Sequence, residues 1–70
     1  MNIAYDAKYD LLYIKFIEGK KEIINKNIDE DITIDLDENG KIVGIEILSA
    51  SKHVDLDKLL PVEIRKAVTA

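Results

Sequence analysis

Seventy residues, 47% hydrophobic and 34% charged, have the makeup of a folded globular chain with room for one compact domain, and so exclude a multidomain enzyme. With no Cys and a single His there is neither a disulfide framework nor a Cys/His zinc site, and the composition suits a reducing compartment. The net charge of −4 argues against direct binding to nucleic acid.

The chain opens on Met1-Asn2-Ile3-Ala4-Tyr5-Asp6, which holds neither a basic leader nor an apolar run of membrane-spanning length. A cytoplasmic protein without membrane contact is expected. Ile3 and Tyr5 form a short first strand, and Asp6 to Asp10 connect it to a second over Leu11 to Ile17. There the apolar residues alternate, with Leu12, Ile14 and Phe16 on one face and Leu11, Tyr13, Lys15 and Ile17 on the other. After the polar turn Glu18-Gly19-Lys20-Lys21, residues Glu22 to Ile28 make a weaker third strand. Its Lys26, set inside the alternation, marks it as a sheet edge.

Asp31 to Asp37 and Lys41 to Leu48 are two further alternating runs separated by Glu38-Asn39-Gly40. Asn-Gly between such runs is a strong hairpin signal. With Asn39 and Gly40 as the two turn residues, partners sum to 79, pairing Leu36 with Val43, Ile34 with Ile45 and Ile32 with Ile47. A slip by one residue would set Ile34 against Gly44 and Ile32 against Glu46, so pattern and turn select the same register. Beyond Ser49 to His53 the period lengthens, and Leu56, Leu60, Ile64 and Val68 recur every four residues, as along a helix that Asp55 can cap. Either a short turn ends near Leu60 and a new helix starts with Pro61 in its first turn, or Pro61 kinks a single helix. The predicted fold is α+β: one domain over residues 1–70, with an antiparallel meander of about five strands in 1–48 and a helical segment in 54–69 covering one sheet face.

Asp35, Asp37, Asn39, Gly40 and Glu46 match the EF-hand calcium-loop pattern position for position. That loop needs a helix on each side, whereas period-two residues flank this one, so the hairpin reading prevails. Paired carboxylates such as Asp6 with Asp10, or Asp35 with Glu46, could serve acid-base chemistry only in a pocket, and the ordinary place for such side chains is solvent. His53, alone in a polar linker, is expected to face solvent or to join a cap. No catalytic residue, metal ligand or cofactor site is assigned.

Tyr5-Asp6, Leu11-Leu12-Tyr13-Ile14, the run Ile34-Asp35-Leu36-Asp37-Glu38-Asn39-Gly40-Lys41-Ile42-Val43-Gly44-Ile45-Glu46-Ile47-Leu48, and Ala50-Ser51 together resemble a family of small prokaryotic proteins, domain-of-unknown-function family 2283. The resemblance covers about the first fifty residues. It implies no established activity, and suggests a partner-binding or toxin-neutralising role. Ala7 stands where many members carry Pro, which leaves the first turn less rigid.

The charge map sharpens the functional expectation. Asp29, Glu30, Asp31, Asp35, Asp37 and Glu38 lie between Lys26 and Lys41 with no base among them, so the net acidity belongs to one segment. These residues and Glu46 form one candidate interaction surface, suited to a basic protein such as a nuclease toxin. Leu11, Tyr13, Ile17 and Ile42 form a second, an apolar strip expected to be buried in a homodimer or larger oligomer. Ordering 70 residues opposes folding by on the order of 100 kcal/mol, so a core this small is helped by association. The leading expectation is a non-catalytic, self-associating interaction module. The alternative is a small-ligand or metal-binding protein, or a minimal enzyme whose site forms between subunits.

Overall fold

The computed structural model of the chain describes residues 1–19 and 22–59. Five strands form one sheet: β1 (Asn2–Asp6), β2 (Leu11–Lys15), β3 (Ile24–Asn27), β4 (Ile32–Leu36) and β5 (Ile42–Ile47). Their order across the sheet is β1-β2-β5-β4-β3, and every neighbouring pair is antiparallel. The β1–β2 hairpin and the β3–β4–β5 meander are therefore joined by placing the last strand, β5, beside β2. The predicted antiparallel sheet is present, with β5 at its centre and β1 and β3 at its edges.

Alternation along the strands separates two faces. On one, Tyr5, Leu12, Ile47 and Ile32 stand opposite one another across four strands, and Ile3, Ile14, Ile45 and Ile34 form the parallel row. Leu12 and Ala50 are fully buried, and Ile47 completes the centre of the core. The chain after β5 covers this face with two 3-10 turns, Ala50–Lys52 and Leu56–Lys58, from which Val54, Leu56 and Leu59 pack onto the core.

This cover differs from the helix expected over 54–69. Among the described residues there is no α-helix, and 56–58 make a single 3-10 turn. Asp55 does cap it, its carboxylate accepting the Asp57 N–H at 3.1 Å. A physical reason against an α-helix begun at Asp55 is present in the sequence: Pro61 has no N–H to bond the Asp57 carbonyl, and proline disfavours helical backbone in the residue before it. Positions 60–69 of the expected helix, like Lys20 and Lys21 of the second turn, lie outside the described residues.

The β4–β5 hairpin keeps the 79 register for Ile32 with Ile47, Thr33 with Glu46, Ile34 with Ile45 and Asp35 with Gly44, then shifts so that Leu36 meets Ile42. The tip is not a two-residue turn. Asp37 N–H donates to the Lys41 carbonyl at 2.9 Å, enclosing Glu38, Asn39 and Gly40, and Gly40 takes the positive φ of 81° that a three-residue hairpin loop requires. The deciding group is the buried Asp37 carboxylate, whose Oδ1 accepts from the Asn39 and Lys41 N–H groups at 2.8 and 3.0 Å. Val43 becomes the extra residue of a bulge, and its carbonyl accepts from the Phe16 and Ile17 N–H groups. Replacing Asp37 with Ala leaves two backbone donors of this turn unpaired. Urea unfolding of Asp37→Ala is expected to show a loss of about 1–3 kcal/mol, with the largest amide shifts at residues 36–43.

Candidate functional site

The opposite sheet face carries the most unusual side-chain arrangement. There the row Asn2, Lys15, Gly44, Asp35, Asn25 runs beside the row Ala4, Tyr13, Glu46, Thr33, Asn27. Gly44 has no side chain, and the Tyr13 ring occupies the space above it: a Cβ on Gly44 would stand 2.5 Å from the Tyr13 hydroxyl oxygen and 3.0 Å from the Ile14 carbonyl oxygen. The same hydroxyl donates to Asp35 Oδ2 at 3.1 Å. Asp35 is only 8% exposed, and its buried Oδ1 has no hydrogen-bond partner among the described residues. Burial raises the Tyr13 pKa above its ordinary 10.0, and the hydrogen bond to Asp35 and the charges of Asp35, Glu46 and Glu18 raise it further. The arrangement is thus an acidic niche roofed by a phenol, with one acceptor left over.

A second polar centre joins the ends of the sheet. Asp10, in the β1–β2 loop at φ 52°, accepts the Ser51 hydroxyl at 2.6 Å, the Ser51 N–H at 3.1 Å and the Tyr5 hydroxyl at 2.7 Å. Its carbonyl also accepts the Ala50 N–H at 2.9 Å. Asp10 therefore fixes the start of the 3-10 segment that closes the core. The Ser51 and Tyr5 hydrogen bonds hold its carboxyl below the usual 3.8. Asp31 fastens the same segment from the β3–β4 side, through His53 Nε2 at 2.9 Å. An open groove of about 570 Å³ runs along Ser51 to Asp57.

Comparison with known proteins assigns a family to the stretch that holds both centres. The model of a family described as protein of unknown function, DUF2283, matches residues 2–51, a span holding all five strands, the Tyr13–Gly44–Asp35 niche and the Asp10–Ser51 contact. The chain belongs to the DUF2283 family. An uncharacterized protein of Methanocaldococcus jannaschii is 49% identical over 59 residues, which is 83% of this chain and 48% of that relative. The chain thus spans about half the length of the relative it matches. No solved structure matches it.

In this DUF2283 chain the predicted surfaces are rearranged. Of the acids grouped by charge, Asp35 and Asp37 are buried instead of facing solvent. Asp29 Oδ1 accepts the Asp31 and Ile32 N–H groups and so holds the β3–β4 turn, while Asp31 faces His53. Glu30 and Glu38 are exposed and Glu46 is half-buried. Leu11, Tyr13, Ile17 and Ile42 do not make one strip: Tyr13 is flanked by Glu46 and Ala4, Leu11 stands opposite Asp6, Ile17 lies past the end of β2, and the bulge sets Ile42 opposite Leu36. Asp6 and Asp10 are not a pair either, since Asp6 accepts the Lys8 N–H while Asp10 holds Ser51. Gly44 completes the niche although periodicity gives it no role. Its signal in the sequence is a lone glycine inside a strand pattern, which marks a close approach by another group.

Two measurements follow from these centres. Gly44→Ala forces Tyr13 off Asp35 and crowds the Ile14 carbonyl; the expected outcome is a loss of about 1–3 kcal/mol in urea unfolding. Ultraviolet titration of the same variant is expected to bring Tyr13 back toward 10.0. A carboxyl lowered on folding stabilises fully above its unfolded value and loses that contribution as pH falls through its folded value. Stability is therefore expected to fall as pH drops below about 3.8, with a shallower fall in Asp10→Asn. Equal slopes in the two proteins would remove Asp10 from the acid transition.

Proposed function

We propose that this DUF2283 protein is a non-catalytic, cytoplasmic interaction module that self-associates and binds a basic protein partner, a nuclease toxin being one candidate. The carrying observation is the state of β3. Among the described residues it pairs only with β4, and every residue from Glu22 to Glu30 is exposed, including Ile23, Ile24 and Ile28. An edge strand with unpaired backbone groups and bare isoleucines is a template for another chain. Ile24, at 61% exposure, is the most open of the three. Lys26 in its centre keeps such pairing selective by requiring an acceptor for its charge.

The acids next to this edge favour a basic partner: Glu30 projects from the turn that follows β3, and Glu38 from the tip of the β4–β5 hairpin. The cysteine-free composition is in keeping with the cytoplasm. No helix among the described residues is long and apolar enough to cross a membrane. The non-catalytic reading is supported by the dispersal of the candidate carboxylates, with Asp10 committed to Ser51 and Tyr5 at one end of the sheet and Asp35 to Tyr13 on its polar face. In sedimentation velocity the chain is expected to run as a dimer or larger species at micromolar concentration, and Ile24→Lys to shift it toward monomer while keeping its fold. A monomer mass for the unaltered chain throughout that range would defeat the self-association reading.

A further inference from the structure

We infer that Asp35 is the receptor for a guanidinium group, the side chain of an arginine carried by the basic partner. The inference rests on the basic-partner reading and gives it a specific contact. Asp35 lies in mid-strand, more than nine-tenths buried, and among the described residues only one of its carboxylate oxygens meets a donor, the Tyr13 hydroxyl. A buried acceptor without a donor is unfavourable by roughly 1–3 kcal/mol, more when charged, and native folds rarely leave one. The sheet has two nearby means of satisfying Oδ1 and uses neither. Asn25, opposite on β3, makes no bond to it, and Lys15, in the same row beyond Gly44, pairs with Glu18 at 3.3 Å.

The surroundings specify the missing donor. Glu46 is the diagonal neighbour of Asp35 on this face, at a separation of about 7 Å between backbones, and the charges of Asp35, Glu46 and Glu18 all bear on Tyr13. Lys15 is the one base in these two rows, so the niche is net negative. Among the described residues no three acidic or histidine groups come close enough to share a metal ion. A cation whose donors are spread over several ångströms fits better. Guanidinium is planar, offers donors to Asp35 Oδ1 and toward Glu46 together, and stacks on a phenol ring; an ammonium satisfies one acceptor at a time. Tyr13 is the side chain that yields in this reading. Its ring is half-buried and stands over Gly44, with its hydroxyl on the other carboxylate oxygen, Oδ2; the guanidinium reaches Oδ1 as the ring turns about its side-chain bonds.

The test uses the full chain, isotopically labelled, titrated at low and moderate salt with three short peptides of equal length carrying arginine, lysine or uncharged citrulline. The arginine peptide is expected to shift the amides of Tyr13, Asp35, Gly44 and Glu46, to bind about tenfold more weakly to Asp35→Asn, and to outcompete the lysine and citrulline peptides. Binding to the double variant Glu30→Gln with Glu38→Gln is expected to stay within about twofold. Should Asp35→Asn lose the folded spectrum, Glu46→Gln carries the same test, with an expected weakening of about threefold. Arginine binding that ignores Asp35 and Glu46 but follows Glu30 and Glu38 overturns the inference and leaves the basic-partner reading standing. Absence of binding by both cationic peptides at low salt overturns the two together.

Discussion

The structure depends on β5 being bonded on both sides. Because β2 and β4 each pair with it, Leu12, Ile47 and Ile32 meet in one row across three strands, and the buried core is that row with Ala50 laid against it. Leu12 is fully buried although it belongs to the early hairpin, which means the β1–β2 unit has no core until the last strand arrives. The long-range pairing is therefore the step that turns two marginal pieces, a two-stranded hairpin and a three-stranded meander, into one domain. The contacts of Asp10 with Ser51 and of Asp31 with His53 then hold the covering segment from both ends of the sheet.

The elements whose cause is local were legible in the sequence. Strict alternation and Asn39-Gly40 gave β4 and β5 and their register through Asp35, because a one-residue slip would have buried Glu46. The shift at the tip came from a side chain, not from periodicity: Asp37 bonds the backbone two and four residues ahead and so selects a three-residue loop. An Asp two residues before Asn39 was a readable signal for this, outweighed by the Asn-Gly dipeptide. The insertion of β5 beside β2 was not legible, since Leu12 and Ile14 would meet any alternating aliphatic strand equally well. The cover was read by its four-residue spacing as a helix, while its described part is built by caps and short turns.

Polar burial was the least legible feature because it depends on what the neighbouring strand lacks. Asp35 reads as a solvent-facing residue by alternation, and it does occupy the polar face. It is nevertheless buried, since the opposed Gly44 leaves a gap that draws in Tyr13 from the next strand but one. Three residues from β2, β4 and β5 thus make one structural unit, and no window along the chain contains them all.

That unit also explains why the acidic segment should be divided rather than treated as one charged surface. Asp29 and Asp37 each precede a turn and accept its free N–H groups, and Asp31 meets His53, so for these residues folding accounts for the carboxylate. Asp35 holds no turn and caps no helix. Aspartate is a poor strand residue, and burying its charge opposes folding, while a neutral acceptor such as Asn would keep the Tyr13 hydrogen bond with less desolvation. The fold alone therefore gives no reason for a carboxylate at this position. What a carboxylate adds there is a charge held in mid-strand between Tyr13 and Gly44, a property that the proposed guanidinium contact uses and that contributes nothing to the core.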